Sequence, residues 1–169
     1  RSALENVILS NKIISSLVLP LKSKSGKTTI WSLRRGYIPI RDENFFNHKM
    51  QEEYFRVSPT NWNKITQAKK KGQNILAVGT TCTRVLETQA FEKAIRKSVS
   101  GWTNCFIYPG WEFRGVDHLL TNFHLPKSTL FLLVCAFMGT KLAKQAYSEA
   151  ITQKYRFFSY GDAMLILWK

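Results

Sequence analysis

Along most of the chain the apolar positions switch repeatedly between the two-residue alternation of strands and the three-to-four-residue spacing of helices. In "RDENFFNHKMQEEYFRV" the residues Tyr54, Phe55 and Val57 predict a strand ending at Ser58. "SPTNWNKITQAKKKG" then carries Ser58 as N-cap, Pro59 at the first helical position and Gly72 just past the end, the start and stop signals of a helix. "NILAVG" has buried-strand character, and "TTCTRVLETQAFEKAIRK" places Val85, Leu86, Ala90, Ala94 and Ile95 at helical spacing. "TNCFIYPG" reads as a strand stopped by Pro109 and Gly110, and "DHLLT" as a further one. "LFLLVCAFM" follows as an apolar element with Ser128 or Thr129 as cap. After Gly139, "TKLAKQAYSEAITQKYRF" keeps Leu142, Ala143, Ala146, Tyr147, Ala150 and Ile151 on one stripe, with Lys141, Lys144, Gln145 and Glu149 opposite, as an amphipathic helix does. "SYGDAMLILWK" is a loop leading into a last strand.

This alternation predicts an α/β protein with a layered, largely parallel sheet and flanking helices. At 169 residues and 44% hydrophobic content the chain supports one sizeable core. Residues 42–169 form the α/β domain. Residues 1–41 are poorly assigned: an apolar run is followed by the basic turn "KSKSGKTT" and by "IWSLRRGYIPI", a strand candidate closed by Pro39. No internal repeat or low-complexity tract interrupts the reading.

Charge adds a partner. Twenty-five Lys and Arg against eleven Asp and Glu leave a net charge of +14, a field that favours polyanions, nucleic acid first, although surface lysines scattered over a soluble domain give the same balance. Cys82, Cys105 and Cys135 have no Cys-x-x-Cys or Cys/His spacing for a metal and read as reduced thiols of a cytoplasmic protein. The longest apolar run, residues 130–138, is about half of what spans a bilayer, so no membrane partner is expected. The chain starts with Arg1, without a convincing signal peptide, as part of a longer chain would.

In open α/β sheets ligands bind beyond the carboxyl ends of the strands, where helix starts expose backbone N–H groups. Two stretches have that placement. In "AVGTTCTRVLE", Gly79 permits a sharp turn, Thr80 and Thr81 offer hydroxyls, and Arg84 and Glu87 lie one helical turn apart; capping and a surface i,i+3 pair explain the same residues. In "LLTNFHLPKSTLF", capping accounts for Ser128 or Thr129 but not for Thr121, Asn122, His124 and Lys127. A lone histidine between apolar residues is more often structural, yet four polar groups in one loop cost solvation unless they bind something. "RFFSYGDAML" repeats the pattern with Ser159, Tyr160, Gly161 and Asp162, where Asp162 also suits a simple Asx-type turn. In "FIYPGWEFRGVDH" the residues Tyr108, Trp111, Phe113 and Arg114 suit base stacking or a plug at the domain edge. Walker, G-x-G-x-x-G and zinc patterns are missing.

Taken in order, "ILAVGTTCTRVLET", "CFIYPGWEFRGVDHLLTNFHLPKSTLFLLVCAFMG" and "YRFFSYGDAMLI" closely resemble the carboxyl-terminal half of the S-adenosylmethionine:tRNA ribosyltransferase-isomerase family of queuosine biosynthesis. "TNFHLPKSTL" and "RFFSYGDAM" are its most specific stretches, and "HKMQEEYF" matches with Gln51 in place of a usual second histidine. The resemblance implies a transferase that moves the ribosyl group of S-adenosylmethionine onto an aminomethyl-deazaguanine in the tRNA anticodon, rearranges it to an epoxycyclopentane and releases adenine and methionine. It implies residues 42–169 as a domain of catalytic type, with His124 as first and Asp162 as second general acid/base candidate. Thr80, Thr81, Arg84, Asn122 and Lys127 would position the polar groups of S-adenosylmethionine or tRNA phosphates, and Tyr108 and Tyr160 would stack on a base; no metal is implied.

The family's amino-terminal half, with its smaller β-rich domain, is absent from this sequence and is a candidate partner. "IWSLRRGYIPI" replaces an expected glycine-rich strand end, with Trp31, Leu33, Arg34 and Arg35 in other chemical classes, and Cys82 and Thr83 stand for a usual Ser-Val. A truncated, non-catalytic remnant that retains tRNA binding is therefore the second expectation.

Overall fold

The computed structural model describes residues 31–32, 49–91, 99–158 and 161–167, so the boundary expected at residue 41 and the position of Tyr160 lie outside the described residues. Two three-stranded sheets organise them. The first has the order β1 (Trp31–Ser32), β2 (Glu53–Val57), β4 (Val99–Thr103), and the second the order β3 (Leu76–Val78), β5 (His118–Asn122), β6 (Ala163–Leu167). The helices are α1 (Pro59–Lys70), α2 (Thr80–Phe91), α3 (Thr129–Met138) and α4 (Thr140–Thr152).

The α/β class with flanking helices stands; the first sheet is antiparallel and the second mixed. β3 runs parallel to β5, with Leu76 opposite His118 and Val78 opposite Leu120. β6 is antiparallel to β5, with Asn122 opposite Ala163, and every pairing in the first sheet is antiparallel. The departure from a largely parallel sheet has a structural reason. α3 and α4 are bent by 116° across Gly139, whose φ of +85° suits a residue without a side chain. The pair carries the chain back to the end of β5 that it left, so β6 must run the other way.

The helix signals act as expected. Ser58 Oγ accepts from the Asn61 N–H at 3.2 Å, Gly72 takes φ +67°, and Ser128 Oγ accepts from the Phe131 N–H at 3.0 Å while donating to the Leu125 carbonyl at 2.7 Å. Leu119 at the centre of β5, Val134 of α3 and Ala143 of α4 are fully buried in the main core. Ala143, Ala146, Tyr147 and Ala150 form the buried stripe of α4, from which Ile151 departs at 65% exposure in the last turn. Phe55, Val57 and Val85 make a small second cluster, and Trp62 packs against both. Among the described residues no single helix is long and apolar enough to cross a membrane.

The strand expected over "TNCFIYPG" lies upstream, at Val99–Thr103. Beyond it two buried charges on α2 take over the backbone. Arg84, 4% exposed, donates from Nε to the Cys105 carbonyl at 2.8 Å and from Nη2 to that of Thr103 at 3.4 Å, while Ile107 turns into the main core. Glu87 is fully buried. Its carboxylate accepts from Gly115 N at 2.8 Å, Val116 N and Arg114 N at 3.0 Å, and Trp111 Nε1 at 3.2 Å. At Gly115 the loop comes so close to α2 that a Cβ would sit 2.5 Å from the Leu86 carbonyl oxygen. The surface i,i+3 pairing of Arg84 with Glu87 is thus overturned: both are interior and serve different segments.

Replacing Glu87 with Ala removes the acceptor of the buried Gly115 and Val116 N–H groups and of two part-buried donors, Trp111 Nε1 and Arg114 N. Urea unfolding of the Glu87→Ala variant should show about 3–5 kcal/mol less stability; a midpoint equal to that of the parent would contradict this role.

Candidate functional site

Three turns meet at one end of the second sheet. Parallel pairing puts the carboxyl ends of β3 and β5 side by side, and Gly79, at φ +91°, donates its N–H to the Leu120 carbonyl at 2.8 Å before α2 begins. Thr80 and Thr81 open that helix, half-buried. Antiparallel pairing brings the start of β6 to the same end. Asn122 Nδ2 donates to the Gly161 carbonyl at 3.1 Å and the Asp162 carbonyl at 3.4 Å, and Phe123 N donates to the Asp162 carbonyl at 3.3 Å.

His124 stands where these turns join. Phe123 before it is buried among the rings of Tyr147, Tyr155 and Phe157, with centroids 5.3, 5.7 and 5.4 Å away, which fixes the direction of the chain. The His124 N–H donates to Tyr147 Oη at 3.0 Å, and its Nε2 lies 2.9 Å from Thr121 Oγ1. Burial disfavours the imidazolium and pulls the His124 pKa down to about 4; it also pushes the Tyr147 phenol up to about 12. The ring is neutral near pH 7. It offers a base and a hydrogen-bonding group rather than an acid.

Asp162 has a different task from the one its sequence position suggests. Its Oδ2 accepts from the Arg156 backbone N–H at 2.7 Å and its Oδ1 from Arg156 Nη2 at 2.9 Å, closing the 156–162 loop in place of an Asx-type turn with Gly161. These hydrogen bonds lower the Asp162 pKa, so the carboxylate stays ionised. As a proton donor it is unsuited; as a brace for the loop it is well placed. Lys127, exposed, holds φ +57° between Pro126 and Ser128 at the rim.

Arg84 does not join this cluster. Nη1 lies 2.9 Å from Glu53 Oε2, Nη2 also reaches the Gln51 carbonyl at 3.5 Å, and with the bonds to Thr103 and Cys105 the guanidinium is committed to the first sheet. Tyr108 lies in the loop before β5, its ring 5.3 Å from that of Phe106. The structure therefore gathers Thr80, Thr81, Asn122, His124, Lys127 and Asp162 at one end and assigns Arg84 elsewhere. Sequence reasoning missed Glu87 and Tyr147. A glutamate on the inner side of a helix and a hydroxyl-bearing ring in an alanine-rich stripe were their available signals. Among the described residues no group of three His, Cys, Asp or Glu side chains is arranged to hold a metal ion.

Comparison with known proteins shows what the chain is similar to. The family model described as "Queuosine biosynthesis protein" matches residues 21–166. The S-adenosylmethionine:tRNA ribosyltransferase-isomerase of Halothermothrix orenii is 57% identical over 129 residues, covering 76% of this chain and 38% of that protein. That of Thermoanaerobacter sp. is 46% identical over 154 residues, covering 89% and 45%. The crystal structure of an S-adenosylmethionine tRNA ribosyltransferase from Thermotoga maritima superposes with a TM-score of 0.65 at 49% identity, over 68% of this chain and 40% of that one. The chain spans about two fifths of the length of the curated relatives it matches.

The half-buried imidazole gives a pH signature. With a folded-state pKa of about 4 against roughly 6.5 when unfolded, the unfolded chain binds the proton first. The stability tied to a neutral His124 is complete above pH 6.5 and declines as pH falls towards 4; the lowered His118 pKa acts in the same sense. In an NMR titration from pH 8 to pH 5 the His124 ring resonances should stay in the neutral form. A midpoint near 6.5 would show that the ring is solvated.

Proposed function

The chain belongs to the queuosine biosynthesis protein family, and on that premise we propose that it is the carboxyl-terminal part of a tRNA-modifying transferase acting in the cytoplasm. The reaction joins the ribosyl carbons of S-adenosylmethionine to the aminomethyl group of a deazaguanine in the tRNA anticodon, and adenine and methionine leave. The single observation that carries this reading is the neutral, hydrogen-bonded imidazole of His124 at the meeting point of three turns. Freeing an amine nucleophile and removing a proton beside a sulfonium both require a base; the unprotonated ring of His124 has a lone pair for that role, and its burial weakens it as a base until a bound ligand changes its surroundings. Thr121 orients the ring.

Thr80 and Thr81, at the amino end of α2, are assigned to the polar groups of S-adenosylmethionine. Lys127 suits a tRNA phosphate, Asn122 and Asp162 hold the 156–162 loop in position, and Tyr108 and Tyr160 remain candidates for base stacking. Arg84 acts only through the backbone it fixes. The net charge of +14 suits a polyanionic partner. The amino-terminal half of the longer relatives is the second partner proposed.

A second reading follows from the chain's coverage of only about two fifths of its relatives: a remnant that binds tRNA without catalysing transfer. Adenine release from S-adenosylmethionine with pre-modified tRNA separates the two. Under the first reading the parent chain releases adenine, and His124→Gln lowers the rate by about 100-fold or more. A His124→Gln rate within about threefold of the parent would remove His124 from the reaction. Under the second reading no adenine appears, while tRNA affinity falls steeply with rising salt.

A further inference from the structure

Phe158 is an anomaly beside this site. Its backbone holds φ +75°, a left-handed conformation that strains a bulky side chain; among the described residues Gly72, Gly79, Gly110 and Gly139 share it, as do Lys127 and Lys154, and Phe158 is the one aromatic residue there. Its ring is 59% exposed, so burial does not repay the strain. The conformation is nonetheless enforced from several sides. The Phe158 N–H donates to the Phe123 carbonyl at 3.0 Å, its carbonyl accepts from Gly161 N at 3.0 Å, and Asp162 N donates to the Arg156 carbonyl at 2.8 Å. Asp162 closes the loop through both the backbone and the guanidinium of Arg156. At Gly161 the chain passes so close to the Arg156 carbonyl that a Cβ there would clash with it.

We infer that Phe158 is held at the rim of the His124 site as a stacking surface for a planar nucleobase. The hydrogen bond to the Phe123 carbonyl ties its backbone to the residue that precedes His124 in the chain. An exposed ring on a hydrogen-bonded backbone presents a π-face with only two side-chain torsions to order on binding, which suits base stacking. The base comes from one of two sources in the proposed reaction, the adenine of S-adenosylmethionine or an anticodon base of the tRNA. This inference rests on the functional reading above, and the experiment separates the failure of one from the failure of the other.

The 169-residue chain is titrated with S-adenosylmethionine and, separately, with an anticodon stem-loop RNA. The parent is compared with Phe158→Asn, Phe158→Tyr and His124→Gln. Asparagine tolerates left-handed backbone, so Phe158→Asn should keep or raise Tm while weakening one or both ligands about tenfold, and Phe158→Tyr should restore binding. Loss confined to S-adenosylmethionine identifies adenine as the stacked base, and loss confined to RNA identifies an anticodon base. If His124→Gln weakens binding and Phe158→Asn does not, the stacking role is overturned and the site stands. If neither variant changes binding, or the parent binds neither probe, both are overturned. A Tm that drops by several degrees in Phe158→Asn makes the ring a structural element and also overturns the inference.

Discussion

Everything at the candidate site depends on the two-sided hydrogen bonding of β5. On one edge β5 pairs parallel with β3, and on the other it pairs antiparallel with β6. Parallel neighbours end at the same side, and an antiparallel neighbour begins where its partner ends. One strand therefore suffices to collect the turn after β3, its own carboxyl-terminal turn and the turn before β6. A slip of one residue in either register would reverse which side chains of β5 face the core and withdraw Thr121 from His124. Leu119 and Thr121, both buried, occupy alternate positions on that strand.

Around this strand the fold uses buried charge where a small protein usually relies on apolar packing. Arg84 and Glu87 project from one helix into different backbones, one towards the first sheet and the other towards the loop entering β5. Buried ions are costly to desolvate, and full hydrogen bonding is what makes them tolerable. Glu87 meets that condition with four N–H partners. The consequence for function is indirect but firm: the same helix that begins at Thr80 is locked in position by these two side chains, and its amino end is thereby fixed against β5.

Much of the framework was legible in the sequence because its signals are local. Ser58, Pro59 and Gly72 mark α1 through chemistry that acts within a few residues, and the apolar stripe of α4 needs only helical periodicity; in α2, by contrast, Val85 and Leu86 are buried beside Thr83, Arg84, Glu87 and Gln89, Ala90 is exposed, and Ala94 and Ile95 lie outside the described residues. The end of the first sheet was not legible, since "TNCFIYPG" leaves the ladder for reasons that lie in Arg84, 21 residues from Cys105 along the chain. Likewise the sequence position of Asp162 suits a general acid/base and that of Arg84 a ligand contact, and only the fold sets Arg156 against the first and Glu53 and two backbone carbonyls against the second. The polar loops advertised themselves as a site by composition. Which polar groups face one another was decided by strand pairing, and no local pattern encodes that.

The proposed recognition site lies at one end of one sheet, around a half-buried imidazole, within a chain that covers about two fifths of the length of its relatives. The most direct measurement is a backbone amide chemical-shift map of this 19.5 kDa chain with and without S-adenosylmethionine. The account predicts perturbations concentrated at residues 79–83, 121–128 and 156–162. Perturbations centred instead on Asn74, Asp117 and His118 at the opposite end of the sheet, with those three turns unmoved, would contradict it.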